Sequence, residues 1–469
     1  MVGIESFGAY IPLHRLAFEE IGKAWGASAS AKGERSVAAE DEDSLTMAVA
    51  AAQECLGSTN RALVDNVIFA STTSPFLEKQ AAVTVAAATD LRTDISTLDC
   101  SGSLRAGTGA LTAAANSVGA GNSKKALVAI ADCRLGQPGT PFESALGDGA
   151  AAFLLGDSDP AIRWVGSYSV ADEIFDYWRR AGDSYVRFWE ERFALSEGIL
   201  RIVPKAIEDA LKKFNHKTKD IAAFVSNAPN ERAYWDVARK VGFDLTKQVA
   251  SPHYSTVGHA GAAFGPMQLI SCLEHGKAGD LILFANYGNG CDVLLLEVLR
   301  DQVKSGKGMD GHLASKKNLR SYNQYALWRG ILPAKTDRMP PVRPAATILW
   351  RDQDSLLRFQ GMKCSACGHV QYPIHRVCSQ CSKTDSYDKV RLSDQTATVF
   401  SCTVDNLGYG SGIAPFWAIV DFPEVRARLQ IADAELADVQ VGDTLEMTFR
   451  KLPSDHDVPV YGWKARKIR

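Results

Sequence analysis

TLDCSGSLRAGTGAL, residues 97–111, places one cysteine, Cys100, between an apolar segment and a run of small residues. A free cysteine is most often a buried structural thiol. A cysteine at the amino-terminal end of a helix instead lies in the positive end of the helix dipole, which lowers its pKa and favours the thiolate. The small residues around Gly102 would let a carbonyl group approach backbone N–H groups. The stretch alone therefore leaves Cys100 as either a buried thiol or a nucleophile.

The composition is that of a globular protein with several domains. The chain has 469 residues, of which 46% are hydrophobic and 23% charged, and this length exceeds one ordinary core. A net charge of -2 argues against nucleic acid as the main partner. No apolar run reaches the roughly 18 residues that span a bilayer, and no signal-peptide pattern opens the sequence. We therefore expect a cytoplasmic protein with reduced thiols and no membrane partner.

Two segments of the chain share one pattern of apolar runs. The runs are bounded by Gly, Asn or Asp, which is typical of buried strands covered on both faces. The stretches that follow Cys100 and His259 are rich in Ala and Gly, as expected of helices in a crowded interior. Residues 1–160 and 161–305 are therefore predicted to be two related α/β halves packed face to face.

The character of the sequence changes after residue 305. Residues 306–345 are mostly polar and basic and predict a linker with a short helix, and residues 346–385 carry a cysteine cluster. Residues 386–469 contain five short strand-like runs separated by turn residues, which predicts a small all-β barrel of the OB type. The basic runs of this segment show no obvious aromatic platform flanked by Lys and Arg, which again argues against nucleic acid.

The cysteine cluster consists of two CxxC pairs separated by ten residues: Cys364, Cys367, Cys378 and Cys381. Each pair turns two thiolates toward one ion, and two pairs complete a closed tetrahedral zinc site. A closed site leaves no position for water or substrate, so the predicted role of the zinc is structural. A redox dithiol fits less well, because the motif is two pairs and not a lone CxxC.

Six motifs occur in the first 305 residues: GIESFGAYIPLHRLAFEEI, STTSP, the frame around Cys100, GDGAAAFLLGD, GHAGAA and NYGNG. Together they resemble the thiolase superfamily, with hydroxymethylglutaryl-CoA synthase and β-ketoacyl-ACP synthase III as the most similar branches. The resemblance implies a duplicated five-layer α/β fold, coenzyme A or an acyl-CoA as substrate, and a homodimer. Residues 325–469 resemble the rubredoxin-like zinc ribbon plus OB-fold proteins that accompany thiolase-like enzymes as partner subunits.

The resemblance makes Cys100 the acyl-accepting nucleophile. The loop NAPN supplies Asn227, and the later loop GHAG supplies His259, which is the order found in thiolases. This order implies that His259, together with a water held by Asn227, polarises the thioester oxygen. Without the resemblance, each residue also has a structural interpretation. His259 could be a histidine of the core, and Asn227 could form a turn.

The general bases of the relatives are replaced in this sequence. The glutamate of hydroxymethylglutaryl-CoA synthases falls at Thr73, and the second cysteine of thiolases falls at Asn286, with Cys291 five residues further on. An uncharged Asn cannot remove the proton that a Claisen condensation from acetyl-CoA requires. Loss of CO₂ from a β-keto acid, or cleavage of a β-keto compound, produces the enolate without that step. His253 is the alternative base, unless it is a histidine of an exposed loop.

Residues 172–193, between the two halves, are dense in aromatic residues and arginines. In the relatives the corresponding insertion shapes the acyl pocket and the mouth of the CoA tunnel. By this resemblance the candidate pocket residues are Tyr177, Trp178, Tyr185, Phe188 and Trp189, and the candidate partners of the CoA phosphates are Arg179 and Arg180. The alternative is an amphipathic surface helix.

The sequence thus supports three hypotheses. The leading one is a CoA-dependent acyltransferase that forms or cleaves a C–C bond beta to a carbonyl, with the acyl group on Cys100 and a preference for the thiolysis or retro-Claisen direction. The second is a hydroxymethylglutaryl-CoA synthase or a decarboxylating ketosynthase whose base is not identified. The third is a non-catalytic scaffold that binds acyl-CoA.

Overall fold

The computed structural model describes residues 1–26, 32–301, 303, 306–333, 344–405, 415–453 and 458–468. These residues group into two units. The first unit comprises Met1–Ala38, Asp43–Ala86 and Leu91–Tyr325, and the second comprises Ala39–Glu42, Ala87–Asp90 and Ala326–Arg469. The finer division at residues 160, 305, 345 and 385 stays a prediction.

Among the residues that the structure describes, the first half of the first unit contains seven strands and five α-helices. They are β1 (Gly3–Tyr10), β2 (His14–Ala17), α1 (Phe18–Ala24), β3 (Glu34–Val37), α2 (Ser44–Leu56), β4 (Val64–Ala70), α3 (Ala81–Ala88), β5 (Ser96–Cys100), α4 (Ala106–Gly119), β6 (Lys125–Asp132), α5 (Pro141–Ala145) and β7 (Gly149–Gly156). Strands β5 and β6 both pair with β4 in parallel, whereas β7 pairs with β6 and β1 antiparallel.

The rest of the first unit repeats four of the five strands of this sheet order, and its last helix continues three residues past Tyr325, where that unit ends. Its elements are β8 (Ile162–Ala171), β9 (Tyr177–Trp178), β10 (Arg187–Phe188), α6 (Glu191–Phe193), α7 (Leu200–Lys213), β11 (Ala223–Ser226), α8 (Glu231–Val241), α9 (Phe264–Leu273), β12 (Leu281–Tyr287), β13 (Gly290–Val298), α10 (Gly308–Ala314), β14 (Lys317–Asn318) and α11 (Tyr322–Trp328). Strands β11 and β12 are parallel, and β13 joins β12 to β8 antiparallel. Strands β1 and β8 pair over two residues, so the halves share a nine-stranded sheet of order β11-β12-β13-β8-β1-β7-β6-β4-β5.

Helices α4 and α9 lie in the middle of the first unit. Helix α4 packs on β4, β6 and β7, and α9 packs on β7, β11 and β12. On the outer faces, α2 covers β1, β6 and β7, while α7 covers β8 and β13 with α8 beside it. Helices α4 and α9 are packed on more than one side and therefore have no room for a polar face. Small buried residues, such as Ala110 and Ala114 of α4, take its place. The predicted five-layer α/β arrangement is confirmed.

The second unit holds a three-stranded and a five-stranded sheet. Its elements are α12 (Ala346–Arg351), α13 (Gln353–Leu356), β15 (Gln360–Cys364), β16 (Val370–Gln371), β17 (Tyr387–Arg391), β18 (Ala397–Val404), β19 (Phe416–Asp421), β20 (Arg426–Gln430), β21 (Thr444–Leu452) and β22 (Val460–Lys467). The sheet of β18–β22 is antiparallel in the order β20-β19-β18-β21-β22. A bridge between Ile431 and Ala465 brings its two ends together. The predicted all-β barrel is confirmed, and its assignment to the OB type stays a prediction.

Within the described ranges, none of the helices has the length and apolarity needed to cross a bilayer.

Candidate functional site

The carboxyl ends of three parallel strands bring Cys100 beside two other chain segments. Cys100 ends β5 and pairs with Ala70 of β4, which pairs in turn with Ile130 of β6. The backbone N–H of Ser71 donates to the carbonyl of Cys100 at 3.0 Å. Since parallel strands deliver their carboxyl ends to one edge, the residues that follow β4 and β6 meet Cys100 there.

The environment of Cys100 corrects one expectation. Helix α4 begins at Ala106, so Cys100 belongs to the strand and not to the first turn of a helix. Burial, and secondly the charge of Asp99, raise the pKa of the half-buried Cys100 thiol. The expectation of a pKa lowered by the helix dipole is therefore wrong. Gly102 adopts φ +86° with open space around a would-be Cβ, so this position requires glycine for its backbone conformation.

The loop between Cys100 and α4 is fixed by the second half of the unit. Ser103 Oγ and Arg105 Nε donate to the carbonyl of Gly288 at 3.1 and 2.7 Å. The side-chain amide of Asn286 donates to the carbonyl of Leu104 at 3.1 Å. The structure therefore brings Asn286 to the Cys100 loop as a buried donor, and an amide cannot replace the thiolase base.

His259 is buried between two hydrogen-bond partners. A guanidinium nitrogen of Arg134 lies 2.9 Å from its Nδ1, and the carbonyl of Asn227 lies 3.2 Å from its Nε2. Its ring stacks on Phe264 with centroids 4.6 Å apart. Burial, and secondly the charge of Arg134, lower the pKa of His259 to about 3. His259 is therefore a neutral imidazole at physiological pH.

Asn227 meets His259 through its backbone. Its side chain makes a two-way bond with Tyr287, because Nδ2 donates to the carbonyl at 3.0 Å and Oδ1 accepts from the N–H at 2.6 Å. This bond joins the ends of β11 and β12. The predicted role of the Asn227 side chain in holding a water stays a prediction.

Asp132, at the end of β6, is a fully buried carboxylate that the sequence interpretation missed. Its Oδ1 accepts from Ser71 Oγ, the Thr72 N–H and Thr73 Oγ1 at 2.7 to 2.9 Å. Its Oδ2 accepts from Thr72 Oγ1 and from the N–H of Ala262, just after His259, at 2.8 and 2.6 Å. Asp132 thus ties the segment beside Cys100 to the His259 loop.

The signal for Asp132 and Arg134 was present in the sequence. Both follow the apolar run of β6 directly, and charged residues at the carboxyl end of a buried parallel strand indicate a functional edge. Thr73, at the position of the relatives' glutamate, donates its hydroxyl to Asp132 at 2.8 Å and accepts from the N–H of Cys133 at 3.0 Å.

His253 and Cys291 have other surroundings. His253 Nε2 lies 3.0 Å from Ser271 Oγ, and burial lowers the pKa of His253. No hydrogen bond joins its ring to Cys100 or Asp132 among the described residues. Cys291 is buried in β13, which raises the pKa of its thiol. Neither residue is brought to Cys100 by a hydrogen bond.

Residues 172–193 form a hairpin, β9–β10, with the three-residue helix α6 at their end. The alternative of an amphipathic surface helix is therefore wrong. Tyr177 and Phe188 both pack on Phe142, with ring centroids 5.7 and 4.6 Å apart. Trp178 packs on Phe175 at 4.4 Å. Tyr185 is half-buried and Trp189 is exposed.

The two candidate CoA-binding arginines differ in position. Arg179 donates to the carbonyl of Thr72 beside Asp132. Arg180 lies on the surface, where its backbone N–H donates to Asp183 at 2.9 Å. Their predicted contacts with CoA phosphates stay predictions.

The four cysteines of the CxxC pairs converge in the second unit. Cys364 Sγ lies 3.7 Å from Cys381 Sγ, Cys367 Sγ lies 3.6 Å from Cys378 Sγ, and all four sulfurs fall within 4.8 Å of one another. Zinc–sulfur bonds of about 2.3 Å in a tetrahedron place sulfurs about 3.8 Å apart. The four thiols therefore fit one zinc ion.

The first part of the chain is similar in sequence to hydroxymethylglutaryl-CoA synthases. The hydroxymethylglutaryl-CoA synthase of Thermococcus onnurineus is 29% identical over 333 residues, which cover 70% of this chain and 95% of the relative. That of Methanocaldococcus jannaschii is 29% identical over 340 residues, which cover 70% and 97%. This part of the chain is homologous to hydroxymethylglutaryl-CoA synthases.

Two solved structures share the fold of this part of the chain. A crystal structure of hydroxymethylglutaryl-CoA synthase complexed with CoA matches with a TM-score of 0.65 at 21% identity, covering 73% of this chain and 94% of that one. The 3-oxoacyl-[acyl-carrier-protein] synthase III of Aquifex aeolicus matches with a TM-score of 0.56 at 22% identity, covering 63% and 100%.

Residues 357–386 match the family described as ChsH2, rubredoxin-like zinc ribbon domain. The match contains all four cysteines, so this chain carries a zinc ribbon. Phe359, within the matched residues, packs on Trp463 of the barrel with ring centroids 6.0 Å apart. A zinc bound by four thiolates would therefore stabilise the fold on which the barrel rests and take no part in chemistry.

We expect about one zinc per purified chain by elemental mass spectrometry, a stoichiometry that follows from a closed four-thiolate site. Cys378→Ser removes one ligand, so this variant should lose the zinc and become insoluble. Cys402→Ser is the matched control, because Cys402 is a half-buried thiol of the barrel outside the cluster. Full zinc content and unchanged solubility in Cys378→Ser would contradict a structural metal.

Proposed function

We propose that this chain is a CoA-dependent acyltransferase that forms or cleaves a C–C bond beta to a carbonyl. The observation that carries the proposal is the edge at which Cys100, Asp132 and His259 meet, within a part of the chain homologous to hydroxymethylglutaryl-CoA synthases. The substrate class comes from those relatives, whose names specify a CoA thioester, and from the related structure complexed with CoA.

The proposed first step transfers the acyl group to Cys100. The sulfur attacks the thioester carbonyl, the bond from this carbon to the CoA sulfur breaks, and the thiol proton leaves with CoA as its free thiol. The carbonyl oxygen gains negative charge during the attack. In the structure the Nε2–H of the neutral His259 donates to the carbonyl of Asn227, and in the proposed step the oxyanion takes over this hydrogen bond in the buried site.

The surroundings of Cys100 favour cleavage over condensation. Asp132 already accepts five hydrogen bonds on two carboxylate oxygens, so no lone pair is left for a substrate proton. Both nitrogens of His259 are occupied, and Thr73 and Asn286 are not bases. With a β-keto thioester, Cys100 Sγ attacks the β-keto carbonyl and the C–C bond next to it breaks. The enolate that leaves takes up the thiol proton and becomes the shorter acyl-CoA, so no base has to remove a proton from carbon.

A synthase of the hydroxymethylglutaryl-CoA kind, or a decarboxylating ketosynthase, is the second candidate. The homology to hydroxymethylglutaryl-CoA synthases over 95% of a relative's length favours it. A non-catalytic acyl-CoA scaffold is the third candidate, and it requires that Cys100 accept no acyl group.

Incubation with acetyl-, acetoacetyl- and longer acyl-CoAs should add one acyl group to the wild-type chain, as measured by intact mass. Cys100→Ser should show no adduct. Cys272→Ser should acylate normally, because burial raises the pKa of that thiol to about 12. Since the pKa of Cys100 is also raised, the acylation rate should keep rising above pH about 8.5. No adduct with any donor would leave only the scaffold hypothesis.

Deuterium exchange into the methyl group of acetyl-CoA separates cleavage from condensation. The enzyme should catalyse no exchange, because the described groups around Cys100 offer no base. Acetoacetyl-CoA with free CoA should nevertheless be cleaved to acetyl-CoA. Rapid exchange with the wild type, lost in Cys100→Ser, would identify a base and favour the synthase candidate.

We also propose a cytoplasmic homodimer, as the resemblance implies. Strand β5 lies at one end of the nine-stranded sheet, its Leu98 is 44% exposed, and Val83 of α3 is 50% exposed. An apolar edge strand of this kind is normally covered. A second copy that pairs through β5 would cover it.

Sedimentation velocity should give about twice the monomer mass of 50.7 kDa. Leu98→Lys places a charge on the edge and should yield a monomer. Val441→Lys, at an exposed apolar residue of the second unit, is the matched control and should leave the dimer intact. A wild-type monomer at micromolar concentration would refute the dimer.

A further inference from the structure

We propose that Arg134 is a positioning residue that fixes His259 as the neutral Nε2–H tautomer, so that His259 donates a hydrogen bond to the acyl oxygen and does not take up a proton. The role of the acyl oxygen rests on the proposed function. The tautomer rests on the contacts of His259 alone.

The two partners of His259 determine where its proton lies. A guanidinium only donates hydrogen bonds, so Nδ1, 2.9 Å from the Arg134 nitrogen, must be the acceptor. A backbone carbonyl only accepts, so Nε2, 3.2 Å from the oxygen of Asn227, must carry the hydrogen. The other neutral tautomer would place two donors against each other at Nδ1 and two acceptors at Nε2.

Protonation of His259 is opposed by its surroundings. An imidazolium would lie against the charged Arg134 in a buried site, where repulsion is strong. Phe264 of α9 stacks on the ring, and the partner at the end of β11 is a neutral carbonyl. No carboxylate forms an ion pair with Arg134 among the described residues, and the charge of Asp132, which favours the guanidinium, is partly opposed by that of Arg179.

Arg134 is held where it can act on His259. Arg134 lies two residues after the end of β6, and a backbone bridge between His259 and Leu146 holds the imidazole loop against the same half of the unit that carries Arg134. Arg134 is only 7% exposed, and burial lowers its pKa to about 10, which still leaves it charged at neutral pH. The guanidinium is therefore a permanent donor to Nδ1.

The arrangement has a chemical consequence. A neutral donor stabilises oxyanion charge with the same strength across the neutral pH range, because its own protonation does not change. It also excludes His259 as the base of a condensation. Through its contact with His259, Arg134 would thus favour stabilisation of an enolate over its formation by proton abstraction.

Nitrogen-15 NMR of the full chain, labelled at histidine, reads the tautomer without any substrate. Comparison with His259→Gln assigns the signals. We expect Nδ1 of His259 to be an unprotonated acceptor and Nε2 to carry hydrogen, unchanged from pH 5 to 9. In Arg134→Met the Nδ1 nitrogen loses its donor and the charge that repels an added proton, so Nδ1 should become protonated on acidification and His259 should titrate closer to its ordinary pKa of about 6.5. Arg134→Lys keeps a charged donor and should restore the wild-type signature.

The rate of Cys100 acylation by acetyl-CoA gives a second readout. Arg134→Met should lower this rate at least tenfold and add a pH dependence below pH 7, whereas Arg134→Lys should remain within about threefold of wild type. A wild-type His259 that carries hydrogen on Nδ1 or titrates between pH 5 and 8 would overturn the proposal, even if Arg134→Met fails to fold. Absence of any acyl adduct would refute the proposed function and leave the tautomer result standing.

Discussion

The buried carboxylate of Asp132 is the interaction on which the candidate site depends. Five donors converge on it from the segment after β4 and from the His259 loop, two parts of the chain that are far apart in sequence. Hydrogen bonds to a charged group contribute about 1.5–3 kcal/mol each. The packing around it is close, because a Cβ on Gly261 would lie 2.1 Å from Asp132 Oδ2. The position of His259 relative to Cys100 therefore follows from one buried charge.

Parallel strand order explains why these groups meet. Strands β5, β4 and β6 end side by side, so Cys100, Ser71 and Asp132 arrive at one edge without any local motif that joins them. The second half contributes in the same way, since Asn227 follows the last residue of β11 and Asn286 is the second-last residue of β12. The duplicated architecture thus places the nucleophile from one half opposite the imidazole loop of the other.

The sequence was sufficient for the architecture and for part of the site. Apolar runs predicted the two α/β halves, and the CxxC spacing predicted the ribbon, because both signals are local. The raised pKa of Cys100 could not be predicted, since it depends on where α4 begins and on burial. The engagement of the Asn227 side chain with Tyr287 is a contact over 60 residues, and no local pattern reveals it. Arg134 was overlooked although its place just after the apolar run of β6 is a local signal; its contact with His259 joins residues 125 positions apart.

The proposed chemistry is that of a thioester enzyme with Cys100 as nucleophile and His259 as oxyanion donor, and no base lies among the groups described beside Cys100. The most direct test of this account is a crystal structure of the chain acylated at Cys100. We predict a thioester on Cys100 Sγ whose carbonyl oxygen lies within about 3.2 Å of His259 Nε2, with Arg134 still bonded to Nδ1. An acyl group on another residue, or a carbonyl oxygen directed away from His259, would contradict it.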